Sequence, residues 1–255
     1  MQYVNQEFLN KMETLKEKEM LEALIDEFKT MFPSRTRVLG AENLNLFLTH
    51  QQKRAKYYNY LYYDDLKRYA LIAFYLGTYF DEDSLYPWVK NILEEDESFG
   101  VKVDSLMEQF QKLSQDTLGK DFIYFLEALE RLHRITPRLV ESFSSYDSIV
   151  KSLTTIYPQR VEAIGKDWLY KELKSQEQEL KRVYIDNSMG AFVYVTTKFM
   201  LGSYVTEDPL YAWVGKYVHK YFQSDKEKSR VLFVKGQSRV RKEILEMKKI
   251  RKKGE

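Results

Sequence analysis

The sequence predicts an all-α fold, and three features of its 255 residues lead to that prediction. Glycine and proline are scarce, at ten and five residues, which favours long helices over a loop-rich β architecture. Apolar residues recur at the three- and four-residue spacing of one helix face along several long stretches. One stretch of 18 residues also occurs twice, which indicates that two parts of the chain share a structure. We therefore expect a helical bundle.

The repeated stretch is LGTYFDEDSLYPWVKNIL at residues 76–93 and LGSYVTEDPLYAWVGKYV at residues 201–218, an offset of 125 residues. Nine of the eighteen positions are identical. Without a gap, residues 24–93 and 149–218 share 19 identities in 70 positions. Because this period is far too long for a solenoid repeat, we predict an internal duplication with the two helical halves related by a pseudo-two-fold axis.

The predicted helices of the first half follow from apolar periodicity and from Gly, Pro and charged breaks between periodic stretches. They span residues 5–32, 41–60 and 64–80, a short stretch that ends at residue 93, and residues 101–115. Pro33 is expected to end the first helix, because the residue before a proline avoids the α region, and residues 32–40 are expected to form a connection. The helix at 64–80 is apolar nearly all round, so it should be central in its half.

Domain boundaries follow from the repeat and from the placement of charge. We predict a first helical half at residues 1–120, a second helical half at residues 121–234, and a basic C-terminal tail at residues 235–255. The tail holds nine Lys and Arg against three acidic residues, although the net charge of the whole chain is only +2. A helix is expected from about Ser238.

The sequence lacks the residues that several kinds of catalytic and metal sites require. The chain has no cysteine, which excludes disulfides, thiolate catalysis and Cys-ligated zinc. His50, His133 and His219 show no paired metal-binding spacing, and no phosphate-binding glycine motif or nucleophile elbow occurs. We expect no cofactor and no catalytic activity. With no apolar window of membrane-spanning length and no signal-peptide core, we expect a cytoplasmic protein without a membrane span.

The repeated acidic pairs, Glu82–Asp83 and Glu207–Asp208, allow two interpretations. In the structural one, Asp83 and Asp208 are N-caps of a short helix, and the Ser or Pro that follows each Asp suits the first helical position. In the other, the pairs form a metal or acid–base site, since neighbouring carboxylates can do that chemistry when their pKa values differ. The spacing does not match an EF-hand loop. We favour capping and leave the site open.

Two other residue types recur in both copies. Trp88 and Trp213 are two of the chain's three tryptophans, and they fall on the apolar stripe of the short helix. Gly77 and Gly202 are expected to end the preceding helix or to let a neighbouring backbone approach closely.

The repeated cations are Arg35 and Arg160, apart from a lysine pair on an exposed helix. We predict that Arg35 forms an ion pair with Glu82 or Asp83 of the first copy. Arg160 should do the same with an acid of the second copy.

A tyrosine-rich segment covers residues 57–79 and contains eight tyrosines. Tyr58, Tyr62 and Tyr63 cannot all face one core, so we consider them candidates for a protein-binding surface, where tyrosine is enriched. The alternative is that they line the contact between the two halves.

The motif LG-[TS]-Y…-[DE]-D-x-L-Y-x-W resembles one in uncharacterised helical proteins encoded near bacterial toxin and secretion loci. The resemblance covers the two motif copies, about 36 residues. It implies a toxin-neutralising immunity protein or a secretion adaptor, whose partner is a toxin or a secretion component, and it implies no catalytic residues. The basic tail departs from the acidic surface expected of an inhibitor aimed at a nuclease, which leaves the target open.

We therefore expect a non-catalytic helical protein that binds another protein and is toxin-immunity-like or secretion-adaptor-like. The first alternative is a metal-dependent or acid–base enzyme that uses the repeated Glu–Asp pairs. The second is a protein that binds nucleic acid or an anionic surface through residues 235–255. The sequence leaves oligomer formation open.

Overall fold

The structure, a computed structural model, describes residues 6–60, 62–183 and 185–254, and for residues 6–10 and 250–254 it describes the backbone alone. Every regular element in these ranges is helical, which confirms the predicted all-α class. The helices are α1 (Gln6–Met31), α2 (Pro33–Leu39), α3 (Ala41–Tyr57), α4 (Tyr63–Leu76), α5 (Pro87–Leu93), α6 (Phe99–Leu118), α7 (Ile123–His133), α8 (Pro137–Glu141), α9 (Tyr146–Ile156), α10 (Pro158–Ile164), α11 (Lys166–Ser175), α12 (Glu177–Arg182), α13 (Ser188–Leu201), α14 (Ala212–Val218) and α15 (Asp225–Gly254). Short 3₁₀ turns lie at Lys120–Phe122 and Pro209–Tyr211. None of the described helices carries an apolar stretch long enough to cross a membrane.

The order of the helices follows the sequence repeat. Helices α2, α4 and α5 begin and end 125 residues before α10, α13 and α14. Helix α3 covers the same interval as α11 and α12 together, which are separated by a break at Gln176. The repeat therefore extends beyond the motif to the bounds of the helices that surround it.

The predicted connection at residues 32–40 is wrong, because Pro33 begins α2 there. A proline suits the first helical position, where its missing N–H would have no helical partner and its φ is already helical. The hydroxyl of Thr36 donates to the carbonyl oxygen of Phe32 at 2.8 Å, and Gly40, with φ of +84°, ends the helix. Pro33 therefore ends α1, as predicted, and also starts a further helix.

The other predicted helices are present with shifted ends. Helix α3 ends at Tyr57 and not at 60, and α4 ends at Leu76 and not at 80. Helix α15 begins at Asp225, well before the predicted start at Ser238. The predicted first residue of α1, residue 5, and the predicted end of the tail, residue 255, lie outside the described residues. The domain boundaries stay a prediction.

Two large apolar cores hold the helices together. In the first core α4 is central, and Leu66, Ile72 and Phe74 are fully buried, as expected for a helix that is apolar nearly all round. The second core forms around α13. Ile164 and Trp168 pack against both cores, so the two halves are in direct contact.

The described part of the basic tail lies against α7. Ile244 of α15 is buried with Leu126 and Leu129 in a small third cluster. Nζ of Lys248 lies 2.6 Å from a carboxylate oxygen of Glu130. This segment of α15 therefore packs on the body of the protein.

A buried ion pair connects α11 to α13. Nζ of Lys198 lies 3.0 Å from Oε1 of Glu172, and both side chains are about nine-tenths buried. Glu172 also accepts a hydrogen bond of 2.8 Å from Gln176. Without Glu172, the buried ammonium of Lys198 would keep only the more distant carboxylate of Glu179, at 3.9 Å, and a buried charge with a weakened partner is costly.

We predict that Glu172→Ala lowers the free energy of unfolding by about 3 kcal/mol, because it leaves the Lys198 ammonium buried without its nearest carboxylate. Urea unfolding followed by circular dichroism measures this change. The matched control is Glu94→Ala, which removes an exposed pair with Lys90 at 3.6 Å and should cost less than about 1 kcal/mol. Equal losses in the two variants would contradict the prediction.

Candidate functional site

The two motif copies bind each other directly. Asp83 of the first copy accepts hydrogen bonds from the backbone nitrogen and the hydroxyl of Ser203, at 2.7 and 2.5 Å. Asp208 of the second copy accepts from the backbone nitrogen of Thr78 at 2.8 Å and from the Thr78 hydroxyl. Thr78 and Ser203 occupy the same motif position, so the same bonds are made in both directions. We call this contact the joint.

Each aspartate also accepts a bond from its own copy. Asp208 accepts from the backbone nitrogen of Leu210 at 2.8 Å and is the N-cap of the 3₁₀ turn at Pro209–Tyr211. The predicted cap is therefore present on this turn and not on α14, whose N-cap is Tyr211. Asp83 accepts from the backbone nitrogen of Leu85 at 2.9 Å. Each carboxylate therefore receives three hydrogen bonds and ties a local turn to the other half.

The prediction that Asp83 is the N-cap of the short helix is wrong. Helix α5 begins at Pro87, and Tyr86 is its N-cap. Proline is favoured at the first helical position and is costly further along, where its ring clashes with the preceding turn. The helix therefore starts at the proline, and Asp83 caps the turn before it.

Glycine is required at the joint. Gly77 and Gly202 end α4 and α13 with φ of +115° and +113°, a backbone conformation that is nearly restricted to glycine. A Cβ at Gly77 would lie 3.3 Å from Oδ2 of Asp208, and one at Gly202 would lie 3.2 Å from Oδ2 of Asp83. Both predicted roles, helix end and close approach, are therefore present at these positions.

The two arginines also reach into the opposite half. Arg160, which is buried, donates from Nη2 to the Tyr86 hydroxyl at 2.9 Å and from Nε to the carbonyl oxygen of Phe199 at 2.6 Å. Arg35 donates from Nη2 to the Tyr211 hydroxyl at 3.3 Å, and its guanidinium carbon lies 4.0 Å from the ring centroid of Phe74.

The predicted ion pairs within each half are wrong: among the described residues, neither arginine forms an ion pair with an acid of its own copy. The charge of Arg160 favours the ionised form of Asp83, and that of Arg35 favours the ionised form of Asp208. An arginine therefore acts on the acid of the other half. The sequence offset shows that Arg35 and Arg160 correspond to each other. It does not show that each arginine interacts with the other half of the chain instead of its own.

Burial controls the titration of the two aspartates. It raises the pKa of both Asp83 and Asp208, because a carboxylate loses solvation in a closed site. The hydrogen bonds from Ser203 and Thr78 and the nearby arginines lower the same pKa values but do not cancel the effect of burial.

A second polar cluster adjoins the first motif copy. Nε of Arg54 donates to Oδ2 of Asp81 at 2.6 Å, and its guanidinium forms an ion pair of 2.9 Å with the exposed Glu82. The Tyr58 hydroxyl donates to Asp81 at 3.3 Å, and burial together with the Asp81 charge raises the pKa of Tyr58 to about 12. Sequence reasoning missed Arg54 and Asp81, because neither recurs 125 residues later.

The remaining candidate residues lie at separate places. Trp88 packs against the first core and Trp213 against the second. Glu207 is exposed beside the joint. Tyr63 is half-buried against the first core, as is Tyr58, whereas Tyr62 is 69% exposed. The three tyrosines therefore do not form one continuous buried contact between the halves.

The acidic pairs do not form an open site. The carboxylates of Asp83 and Asp208 are buried and engaged by three hydrogen bonds each, and Glu82 is paired with Arg54. Among the described residues, no group of three or more His, Cys, Asp or Glu side chains is placed to hold a metal ion. This geometry gives no support to the metal or acid–base alternative.

A large groove opens beside the joint, between α2 and residues 233–249 of α15. Its volume is about 1400 Å³, and its walls also include residues of α6, α7, α13 and the turn at Pro209–Tyr211. The lining is mainly apolar. Five large hydrophobic residues of this lining are solvent-exposed, namely Met31, Val38, Tyr75, Phe122 and Leu245.

The groove lies where two corresponding parts of the chain pack differently. Helix α10 packs against α6, and the hydroxyl of Tyr157 donates to the carbonyl oxygen of Thr117 at 2.7 Å. Helix α2 lies 125 residues before α10, and the first part of α15 lies 125 residues after α6. Among the described residues no comparable packing joins α2 to α15, and the groove separates them.

Comparison with protein-family models, with curated proteins and with solved structures gives no match for this chain. The observations that bear on function are therefore those at the joint and the groove.

We predict that Gly202→Ala lowers the free energy of unfolding by about 2 kcal/mol, because alanine is strained at φ of +113° and its Cβ would crowd Asp83. Thermal or urea unfolding measures the loss. The control is Gly236→Ala, where nothing lies within 4 Å of the added Cβ, and which should stabilise α15 by about 0.5–1 kcal/mol. A Gly202→Ala variant with the free energy of unfolding of the wild type would show that the joint tolerates a side chain at this position.

The raised pKa of Asp208 predicts the sign of a pH effect. Because the folded state binds the proton more tightly than the unfolded state, the stabilisation from protonation is complete below the ordinary value of 3.8 and is lost as the pH rises through the folded pKa. The wild type should therefore gain free energy of unfolding relative to Asp208→Asn as the pH falls from 7 to 4.5.

Urea unfolding of the wild type and Asp208→Asn at both pH values tests this sign. Glu207→Gln controls for the loss of one negative charge beside the joint. If the wild type instead loses stability relative to Asp208→Asn on acidification, the pKa of Asp208 in the folded state lies below its ordinary value.

Proposed function

We propose that this chain is a non-catalytic protein-binding protein that takes part of its partner into the groove beside the joint. The groove is the observation that carries this proposal. A toxin-immunity-like or secretion-adaptor-like role, with a bacterial toxin or secretion component as partner, is the form of protein binding that the motif resemblance favours. Cytoplasmic localisation remains a prediction.

The size and lining of the groove favour a protein ligand. Sites for small molecules usually measure about 300–1000 Å³, and this groove exceeds that range. Exposed apolar residues that lie together on one surface mark interaction sites in soluble proteins. Val38, 73% exposed on α2, and Leu245, 51% exposed on α15, both line the groove and are available to a partner that enters it.

We also propose that the chain arose by internal duplication and that its halves are related by a pseudo-two-fold axis. The equal offsets of the helix bounds support this, as do the bonds that Asp83 and Asp208 exchange with Ser203 and Thr78. If the duplication holds, the joint lies at the axis. The groove breaks the symmetry, because α10 packs against α6 whereas the corresponding helices α2 and α15, over their described residues, stay apart and leave a surface for a partner.

Binding of nucleic acid through residues 235–255 remains the alternative prediction. Part of the tail's positive charge is already engaged, since Lys248 pairs with Glu130 and Lys249 pairs with Glu246 at 2.8 Å. The apolar groove has no role in that alternative, and so we favour protein binding.

We predict that the double variant Val38→Glu/Leu245→Glu no longer captures the native partner from host lysate. Each substitution places a carboxylate on an exposed apolar position of a groove wall, and burying that charge against a partner is costly. Affinity capture of the tagged full chain, followed by quantitative mass spectrometry, measures the loss as a ratio to the wild type.

The matched control is Leu46→Glu/Leu139→Glu, which changes two exposed leucines outside the groove lining. It should retain the partner, and circular dichroism should show that both double variants fold. A partner that is captured equally by the groove variant and the control does not bind in the groove, and that result would overturn the proposed function.

A further inference from the structure

We propose that the segment of the partner that enters the groove is an acidic amphipathic helix. This inference rests on the proposed function and names the chemistry of the ligand: apolar side chains face the floor of the groove, and carboxylates face its rim.

The walls of the groove favour a helix over an extended segment. All the described walls are helices and turns, so the groove offers no strand edge to which an extended peptide could add. A helix satisfies its own backbone hydrogen bonds and needs only side-chain contacts from its host. An apolar groove between helices is the setting in which amphipathic helices are bound.

The volume also fits a helical segment. A helix about 10 Å wide that rises 1.5 Å per residue occupies roughly 120 Å³ per residue. A groove of about 1400 Å³ therefore has room for roughly a dozen residues, or about three turns. That length places three or four apolar side chains of one helix face against the groove.

The charged residues of the lining are mostly basic. The exposed or half-exposed cations are Arg35, Arg37, Arg239, Lys242 and Lys249, and the acids are Asp121, Glu243 and Glu246. Of these, Lys249 and Glu246 pair with each other. Four cations thus remain against two acids, and complementary charge would be supplied by Asp or Glu on the partner.

Arg35 is one of the lining cations that can bind a carboxylate of the ligand. Its counterpart Arg160 is buried and donates to both Tyr86 and Phe199. Arg35 is half-exposed in the groove lining, and its one described hydrogen bond goes to Tyr211. A guanidinium has five N–H donors, so Arg35 retains donors for a charge-assisted bond to an acidic side chain.

The test uses a displayed library of 18-residue helical peptides. Their apolar face varies among Leu, Ile, Val and Phe, and their polar face varies among Asp, Glu, Lys, Arg, Gln and Ser. Peptides are selected on the full chain and counter-selected on Val38→Glu/Leu245→Glu, so that only groove-dependent binders remain. We expect the selected polar faces to carry net negative charge.

A synthetic peptide from this selection then tests the contribution of the rim. Its dissociation constant should rise about fivefold at low salt for Arg37→Gln/Lys242→Gln, since two rim cations are lost, and the difference should shrink as salt increases. Lys171→Gln/Lys174→Gln removes the same charge from exposed positions on α11, outside the groove lining, and should bind like the wild type. Fluorescence anisotropy measures all three proteins.

The outcomes separate this inference from the proposed function. Selection of neutral or basic polar faces, or an affinity unchanged in Arg37→Gln/Lys242→Gln, would overturn the acidic helix but leave protein binding in the groove intact. Failure to select any groove-dependent helix, while the native partner is still captured in a groove-dependent way, would show a non-helical ligand. Groove-dependent binding of oleate or of a single-stranded oligonucleotide, with no groove-dependent partner captured, would overturn both.

Discussion

The hydrogen bonds that Asp83 and Asp208 accept from opposite halves determine the geometry of everything around the joint. Bonds to a carboxylate contribute more than bonds between neutral groups, about 1.5–3 kcal/mol each, and they offset part of the cost of burying two charges. Gly77 and Gly202 favour these bonds, because a Cβ at either position would crowd the carboxylate that approaches the end of α4 or α13. The glycine, the aspartate and the Thr or Ser hydroxyl of the motif therefore depend on one another, since all three take part in the same contact between the two copies.

The groove depends on the same contact. Arg35 of α2 donates a hydrogen bond to Tyr211, which lies in the turn that Asp208 caps. This bond connects the α2 wall of the groove to the joint. The α15 wall packs on the body of the protein through Ile244 and through the ion pair of Lys248 with Glu130. Between these two supports an apolar surface stays open. An open apolar surface between two packed walls is suited to binding, because a partner that enters removes apolar area from water.

Sequence reasoning succeeded where the signal was local. The all-α class and the helices around residues 41–57 and 63–76 followed from periodicity and from breaks at Gly and Pro. It failed at α2, because Pro33 predicts the end of α1 but also suits the first position of a new helix. It also failed for Arg35 and Arg160, and it passed over Arg54, because a search guided by the repeat finds only residues that recur.

By itself, the sequence determined the helical class and the repeated order of the helices, since apolar periodicity and turn residues act on neighbouring positions. Only the tertiary structure decided that Asp83 meets Ser203, that Asp208 meets Thr78, and that each arginine reaches the opposite half. These partners are 120 or more residues apart in three of the four cases. Their contact is created by the packing of one half on the other. The groove has the same origin: α2 and α15 carry no local pattern that shows whether they touch, and the space between them exists only once both cores have formed.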